Sequence, residues 1–411
     1  MTRYRCRTLI TMKGEPITDA AFVIDGERFL EVGPAAEILR NPAGPVQDLG
    51  EVVVLPGLVN AHCHLDYTLM RGAILPSHNF SQWVSRINSL KRVFSDDDYL
   101  RAHQEGLDEL RRFGTTTVLD IAAIPQILPR RPNPVLRSYT FLELIDVRPR
   151  PWEDLYAFGS WCIFEPGQAN GKLNGSGLSP HAPYTASPEL YRLARLGRTQ
   201  LGLPTTTHVA ESEEEFRMFS TGEGPLFDFL KKLGRPMTDC GWTSPLQHLL
   251  RNGLVCPDAI LVHLNYLDGE DFAVLSWPEW RGLTVVHCPK SHRFLHHGPF
   301  PLERLQAAGL NVALGTDSLA SNDRLDLFAE MRMVRRGHPD LTAAQALRMA
   351  TVNGARALRR EHELGCIAPG FLADAIAVPC AEKLDCPYEV VLQNRCAVEW
   401  MLVNGRVLPV S

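Results

Sequence analysis

No run of lysine or arginine forms a basic stripe in this chain, and acidic residues outnumber basic ones, 47 to 42. The net charge is -5 and the pI near 6.3, which argues against nucleic acid or an anionic membrane as the main partner. Apolar runs of about eighteen residues, the length a membrane helix needs, are missing throughout. The start, Met1-Thr-Arg-Tyr-Arg-Cys-Arg-Thr8, lacks the apolar stretch of a secretory signal. A soluble, cytoplasmic protein is the expectation. C-x-x-C pairs are also absent, and the 10 cysteines stand singly. They read as reduced thiols, mostly filling a core. No fixed-period repeat and no low-complexity linker occurs, which excludes a solenoid or an extended spacer.

What the chain does have is length: 411 residues, 45% of them hydrophobic, suffice for one large domain and a smaller one. Residues 6–54 read as short strands with turns, among them Thr8–Met12, Ala21–Asp25, Phe29–Val32 and Glu51–Leu55, with Asp25-Gly26 as a hairpin signal. The far end has the same character in Ala373–Pro379 and Val398–Leu408, the latter with its own Asn404-Gly405 turn. The two ends are expected to pair into one β-sandwich, residues 1–56 with 367–411.

Between them, residues 57–366 alternate apolar runs with helical patterns. The predicted strands are Val52–His64, Thr115–Ile121, Ser138–Ile145, Gly177–His181, Pro204–Val209, Ala259–Leu264, Leu283–Cys288 and Asn311–Asp317. Predicted helices include Asp98–Phe113, Pro188–Leu196, Glu213–Phe219, Leu302–Ala308, Leu325–Arg336 and a packing helix over Leu341–Leu358. Residues 125–134 and 166–177 read as loops. The runs are apolar throughout, as in strands buried on both faces. Eight of them point to an α/β fold, a parallel (β/α)8 TIM barrel. The rival, an open doubly wound sheet, lacks the G-x-G-x-x-G it would use for a dinucleotide.

Barrel enzymes carry their chemistry where strands end. Here six strand ends bear metal-ligand residue types: His62 and His64, His181, His208, His263, His287 and Asp317. His62 and His64 are spaced i, i+2, which puts both imidazoles on one face of a strand. Any one histidine is more often a satisfied core residue than a ligand; six marked strand ends are not explained that way. Three imidazoles with one carboxylate suit zinc or iron and leave a position open for water. Asp317, in Gly315-Thr-Asp-Ser318, is the natural carboxylate, with the glycine letting the chain come close. Glu211 falls on the turn after His208, whereas Glu213 to Glu215 read as solvated charge. Arg148, Glu143 and Trp83 are further candidates for substrate contact, and His296 and His297 read as loop surface. His103-Gln-Glu105 opens an H-x-E deaminase pattern that no P-C-x-x-C completes.

The HxH pair, His208-Val-Ala-Glu211, His263 and Gly315-Thr-Asp-Ser318 together resemble the amidohydrolase superfamily. The branch is the one holding adenosylhomocysteine/methylthioadenosine deaminases, chlorohydrolases and aminofutalosine deaminases. Pro56–His62, Met70-Arg-Gly72, Ser179–Thr185, Ala350–Leu358, Gly370–Asp374 and Val403–Arg406 extend the likeness over nearly the whole chain. The resemblance implies one divalent metal, zinc foremost with iron or manganese as alternatives, on His62, His64, His208 and Asp317. It casts Glu211 as a proton shuttle, His263 as a group orienting water, Asp317 as a base, and His181 as a substrate contact. His292 and Arg148 complete the expected substrate set. Binuclear relatives use a carboxylated lysine at the end of strand four; this chain has Ser179-Pro-His-Ala-Pro183 there, and Lys172 precedes the strand. A mononuclear site follows. The His287–His297 stretch departs from the Asn-Pro-x-Ser-Asn of adenosine-type deaminases and is expected to line the substrate pocket. The implied activity is deamination of an aminated heterocycle, an adenine-type nucleoside such as aminofutalosine or an adenosylhomocysteine/methylthioadenosine-like compound. Cyclic amide hydrolysis and dechlorination are the alternatives on the same site, and a metal-free binding scaffold is the reading from another class. The expected partner is a small molecule, and the expected assembly a homodimer.

Overall fold

The computed structural model describes residues 1–40, 44–148, 174–380 and 386–410. Cys162 and Lys172 lie outside the described residues, as does the stretch 166–173 of one expected loop. Strands from both chain ends pair in one eight-stranded sheet. Its order runs Arg406–Leu408, Trp400–Val403, Ala375–Pro379, Val52–Pro56, Thr2–Leu9, Ile17–Asp25, Arg28–Pro34, with Val46–Asp48 beside Thr2–Leu9. Both turn signals act as read. Asp25 pairs with Arg28 across Gly26, and Val403 with Arg406 across Asn404-Gly405. The positive φ values at Gly26, Asn404 and Gly405 are what such tight turns require.

Val52–His64, expected as one strand, is two strands in two sheets. Val52–Pro56 stays in the terminal sheet, and Leu58–His64 starts the second unit. The break falls at Gly57, where an added Cβ would meet the Thr116 side chain at 2.2 Å, so only glycine lets the chain turn there.

Besides the two-residue strand Asp317–Ser318, the second unit contains eight strands among the described residues: β1 (Leu58–His64), β2 (Thr115–Ala122), β3 (Arg137–Leu144), β4 (Asn174–Pro180), β5 (Thr206–Val209), β6 (Ile260–His263), β7 (Thr284–His287) and β8 (Asn311–Leu314). β1 to β4 pair in parallel sequence, and so do β5 to β8. A parallel bridge, Leu178 to Thr205, joins β4 to the start of β5. Beyond β8, Asp317 and Ser318 pair in parallel with Cys63 and His64 of β1. β1, β2 and β5 to β8 are buried at every residue, as strands covered on both faces are.

The helices between follow their sequence signals. Asp96–Arg112 opens with a capping box between Ser95 and Asp98, carries Asp96, Asp97 and Asp98 in its first turn and ends on Arg111 and Arg112. Pro188–Leu201 starts with proline and stops at Gly202 in the left-handed region. Leu341–Leu358, expected as one helix, is two, Ala343–Met349 and Val352–Ala357. Thr351, at φ -132° and ψ -89°, breaks the run. The helix Phe80–Lys91 has no counterpart among the expected elements; its ring of polar residues hides the apolar stripe of Phe80, Trp83, Val84 and Ile87.

Residues 125–134, expected as loop, contain a short 3-10 turn, Pro125–Arg130, that delivers Arg131 into the interior. There Arg131 bridges Asp66, just past β1, and Asp120 at the end of β2, all three buried. Burial raises the Asp120 carboxyl to about 6, against the pull of Arg131. Arg131→Leu leaves two carboxylates buried without their cation, and a loss of about 3–5 kcal/mol is expected. Denaturant unfolding of the variant measures this, and an unchanged midpoint would remove the ion group from the fold's supports.

Candidate active site

The four expected metal ligands meet at one point. His208 Nε2 lies 3.2 Å from His62 Nε2 and 3.3 Å from His64 Nε2. Asp317 Oδ1 lies 3.6 Å from His62 Nε2 and 3.8 Å from His64 Nε2. The strand geometry explains the meeting: β1 sends both its histidines inward, β5 supplies His208, and the chain after β8 returns to β1 with Asp317. Gly315 makes that return possible. A Cβ there would stand 2.8 Å from the His62 carbonyl oxygen and 2.9 Å from its Cβ. Thr316 then donates its N–H to the carbonyl of His62, and Asn60 Nδ2 donates to Thr316 Oγ1 at 2.8 Å.

The donors are set for a cation. His208 Nδ1 faces the carbonyl of His181 at 2.8 Å, which fixes the ring with its Nε2 lone pair toward the cluster. Burial, followed by the neighbouring His62, holds the His64 imidazole well below its ordinary pKa and lowers that of His208 to about 4. The Asp317 carboxyl is pulled well below its ordinary range despite burial, through its bond to His62 and the neighbouring imidazoles of His263 and His64. Its Oδ2 accepts from Ser291 Oγ at 2.6 Å and its Oδ1 from the Ser318 N–H at 2.8 Å. Nitrogen lone pairs and an oxyanion crowded so closely fit a divalent metal with imidazole and carboxylate donors.

Glu211 and His263 sit against this cluster, His263 Nε2 being 3.6 Å from Glu211 Oε1. Both groups, with Asp317, present atoms within 4.8 Å of one another. Burial, then Asp317 and Glu215, pushes the Glu211 carboxyl well above its ordinary range. Burial likewise holds His263 neutral, and its Nε2 has no hydrogen-bond partner.

Glu215, read from sequence as a solvated charge, is wholly buried. Its carboxylate accepts the backbone N–H groups of Ala210 (3.0 Å) and Glu211 (2.8 Å) and so fixes the turn that aims Glu211. Glu214 is not free either, since it receives the N–H groups of Phe80 and Ser81 at the start of their helix. The sequence offers one signal for Glu215: it stands at the third helical position after the cap Ser212.

Among the other expected contacts, His181, Glu143 and Trp83 line the same cavity of about 230 Å³ as the cluster. Arg148 is exposed and does not line the cavity, though it donates to the carbonyl of Leu233, which does. His292 is held between Asn265 Oδ1 (3.1 Å) and the carbonyl of Gly298 (2.7 Å). The expected pocket-lining stretch His287–His297 includes the helix Pro289–Phe294 and borders a separate depression shared with His338. His287 stacks on Phe300 at 3.8 Å there. His296 is exposed, as expected, and stacks on His78, whereas His297 is half-buried against Tyr266. Ser291 and Glu215 are the residues sequence reading missed.

Clustered buried imidazoles, a carboxylate and a second carboxyl group whose pKa burial raises define a class: hydrolases that use a divalent metal to activate water. The chain belongs to the amidohydrolase family, which residues 161–408 match. It is 32% identical to a 5-methylthioadenosine/S-adenosylhomocysteine deaminase of Moorella thermoacetica, over 98% of this chain and 92% of that protein. With an aminodeoxyfutalosine deaminase of Deinococcus radiodurans it shares 30% identity over 85% of this chain and 84% of that protein. The crystal structure of an adenosine deaminase from Xanthomonas campestris with bound zinc superposes with a TM-score of 0.80, at 25% identity, covering 99% of this chain and 92% of that one.

Glu215→Gln sets an amide NH2 against a backbone N–H and is expected to lower stability by about 1–3 kcal/mol. Turnover falls with it while metal content holds, as unfolding, kinetics and metal analysis of one preparation would report. A variant with wild-type stability and rate would show that Glu215 does not hold the Glu211 turn.

Proposed function

We propose that the chain is a hydrolytic deaminase of adenine-type nucleosides, working with one divalent metal, zinc in this reading. The meeting of His62, His64, His208 and Asp317 beside Glu211 and His263 carries the proposal. The identity to deaminases of methylthioadenosine, adenosylhomocysteine and aminodeoxyfutalosine supports the substrate class. The strand pairings support a closed (β/α)8 barrel over residues 57–366, and the mixed terminal sheet supports a β-sandwich of residues 1–56 and 367–411. Nine free cysteines among the described residues suit a reducing, cytoplasmic setting.

A metal held by His62, His64, His208 and Asp317 supplies Lewis-acid activation of water near neutral pH. Asp317 accepts a proton from the attacking water, whose oxygen adds to the amidine carbon. His263 Nε2, buried and without a partner, orients that water or the group formed from it. Glu211, protonated by its buried setting, gives its proton to the neighbouring ring nitrogen. As the carbon–nitrogen bond breaks, Glu211 takes the proton of the newly formed hydroxyl to the departing amine, so ammonia leaves rather than the far more basic amide ion, and the proton held by Asp317 returns to Glu211. His181, with Nδ1 2.5 Å from Thr185 Oγ1, borders the cavity as a substrate contact.

Asp317→Ala is expected to lose the metal along with turnover; elemental analysis against wild type decides, and full metal with full rate removes the ligand assignment. Glu211→Gln is expected to keep the metal and lose about a hundredfold or more in kcat. Undiminished ammonia release from that variant would take the proton shuttle out of the mechanism. Stripping the metal with a chelator should abolish ammonia release from adenine nucleosides, and adding back zinc, iron or manganese separately should show which restores it. Turnover by the stripped protein would overturn the metal-dependent reading, and turnover only on halogenated rings or cyclic amides would move the substrate class.

A further inference from the structure

The depression beyond β7, about 600 Å³ in volume, takes no part in the proposed reaction. Its charged groups are of one sign. Arg293 and Arg336 line it with His292, His296, His297 and His338, and no carboxylate among the described residues does. Neither arginine forms an ion pair with a described residue, and Arg293 Nη1 donates to the Met333 thioether at 3.9 Å. Arg336 stands three residues beyond Met333 on the helix Leu327–Gly337, so the two guanidiniums enter the lining from different elements. The Glu303 carboxylate that reaches His338 Nδ1, at 2.7 Å, is exposed and engaged there.

His292 adds a second observation. Its Nδ1 faces Asn265 Oδ1 at 3.1 Å and its Nε2 faces the Gly298 carbonyl at 2.7 Å. Asn265 is oriented by its other end, where Nδ2 donates to the Glu211 carbonyl. Both partners of the ring are therefore acceptors, and only an imidazolium donates to two. Burial opposes that charge and takes the imidazole down to about 4. The titratable groups around it are the imidazoles of His287, His297 and His338 and the guanidiniums of Arg293 and Arg336. Among the described residues, nothing supplies the counter-charge that a doubly donating ring calls for.

A metal cation does not meet this need. The guanidiniums repel it, both His292 nitrogens are taken, and no described set of closely placed ligand atoms includes these histidines. A tetrahedral oxyanion does meet it. Arginine forks match phosphate oxygens in pairs, and forks from two elements can hold different oxygens of one group. A concave surface of one sign concentrates the field that draws it in.

We propose that this depression binds a phosphate-type oxyanion, held by Arg293 and Arg336 beside an imidazolium at His292. The site is separate from the deaminase reading and stands or falls without it.

The test is calorimetric titration of the metal-loaded full chain with inorganic phosphate at pH 7 and constant ionic strength. Saturable binding is expected, weakened at least about tenfold by Arg293→Gln and likewise by Arg336→Gln. Both positions are exposed, and an unchanged unfolding midpoint shows that the variants fold. Nitrogen NMR of the histidines should show His292 titrating about one pH unit higher, or more, with phosphate bound. Uridine 5′-monophosphate distinguishes the sources: tighter binding than inorganic phosphate assigns a phosphate ester to the site, weaker binding the free anion. No saturable binding, or equal competition by chloride, would overturn the site. Binding that survives both substitutions would place the anion elsewhere, at the metal for instance, and overturn it too. An unmoved His292 titration would remove the imidazolium from the proposal. Ammonia release is not read at any step, so each failure leaves the deaminase reading untouched.

Discussion

Four electron-rich side chains, His62 and His64 each within 4 Å of both His208 and Asp317 in a buried site, set the conditions the rest of the structure has to meet. Lone pairs and an oxyanion so placed repel unless a cation lies among them, and burial strengthens the repulsion. The chain holds them there with strained backbone. Ala210, His263, Leu264 and Asp317 all sit at positive φ, each at a cost of about 1–3 kcal/mol. These are the residues at or beside the ends of β5, β6 and β8, where side chains must leave the strand direction to face a common point. The strain is answered locally. Leu264 donates to the Val209 carbonyl, Asn265 and Tyr266 donate to that of Ala210, and Asn265 Nδ2 donates to that of Glu211.

Buried carboxylates recur as the means of holding such loops. Asp66 receives the N–H groups of Ala123 and Ile124 beyond β2, and Asp120 receives that of Leu65 beyond β1. Glu215 receives two N–H groups of the turn after β5. Glu330 receives the Lys290 N–H after β7 and Asn322 Nδ2 after Asp317, and burial raises its carboxyl to about 8. Each of these strand-end loops therefore has an oxygen acceptor for donors that no neighbouring strand satisfies. A backbone carbonyl offers one acceptor atom, whereas a carboxylate offers two and can join two loops. That is what Asp66, Asp120 and Arg131 do between β1 and β2.

The ligands were legible because their signal is local. His62 and His64 share a strand face by period alone, and Gly315 before Asp317 announces a close approach. The supporting carboxylates were not legible, for a physical reason. Whether a charge such as Glu215 is solvated or buried depends on which backbone N–H groups the fold brings to it, and those of Ala210 and Glu211 are freed only by the strained turn. Arg131 fails in the same way: its surroundings of Pro and Arg read as loop, and only the folded chain sets Asp66 and Asp120 on either side of it. Val52–His64 misled because two adjacent strands share one apolar run, and the break at Gly57 is forced by Thr116, a residue 59 positions away. His292 carried the right chemistry but is held by Asn265 and Gly298, contacts that no spacing foretells.

The site therefore divides into parts that answer to different constraints. Geometry at the strand ends is fixed by hydrogen bonds among strands and carboxylates, so a change there disturbs the ligands themselves. The wall above is built from two helices, Phe80–Lys91 and Pro225–Lys232, inserted after β1 and β5 and touching each other through apolar side chains. Phe80–Lys91 is fastened at its start by Glu214 and at Trp83 Nε1 by the Ala320 carbonyl. Among its other pocket-facing residues, Val84, Ile87 and Asn88 take no part in that anchoring. Substitutions among them can reshape the cavity without moving His208 or Asp317. A fixed reacting centre beneath a replaceable apolar wall lets one arrangement of ligands serve substrates that differ only at the end remote from the metal.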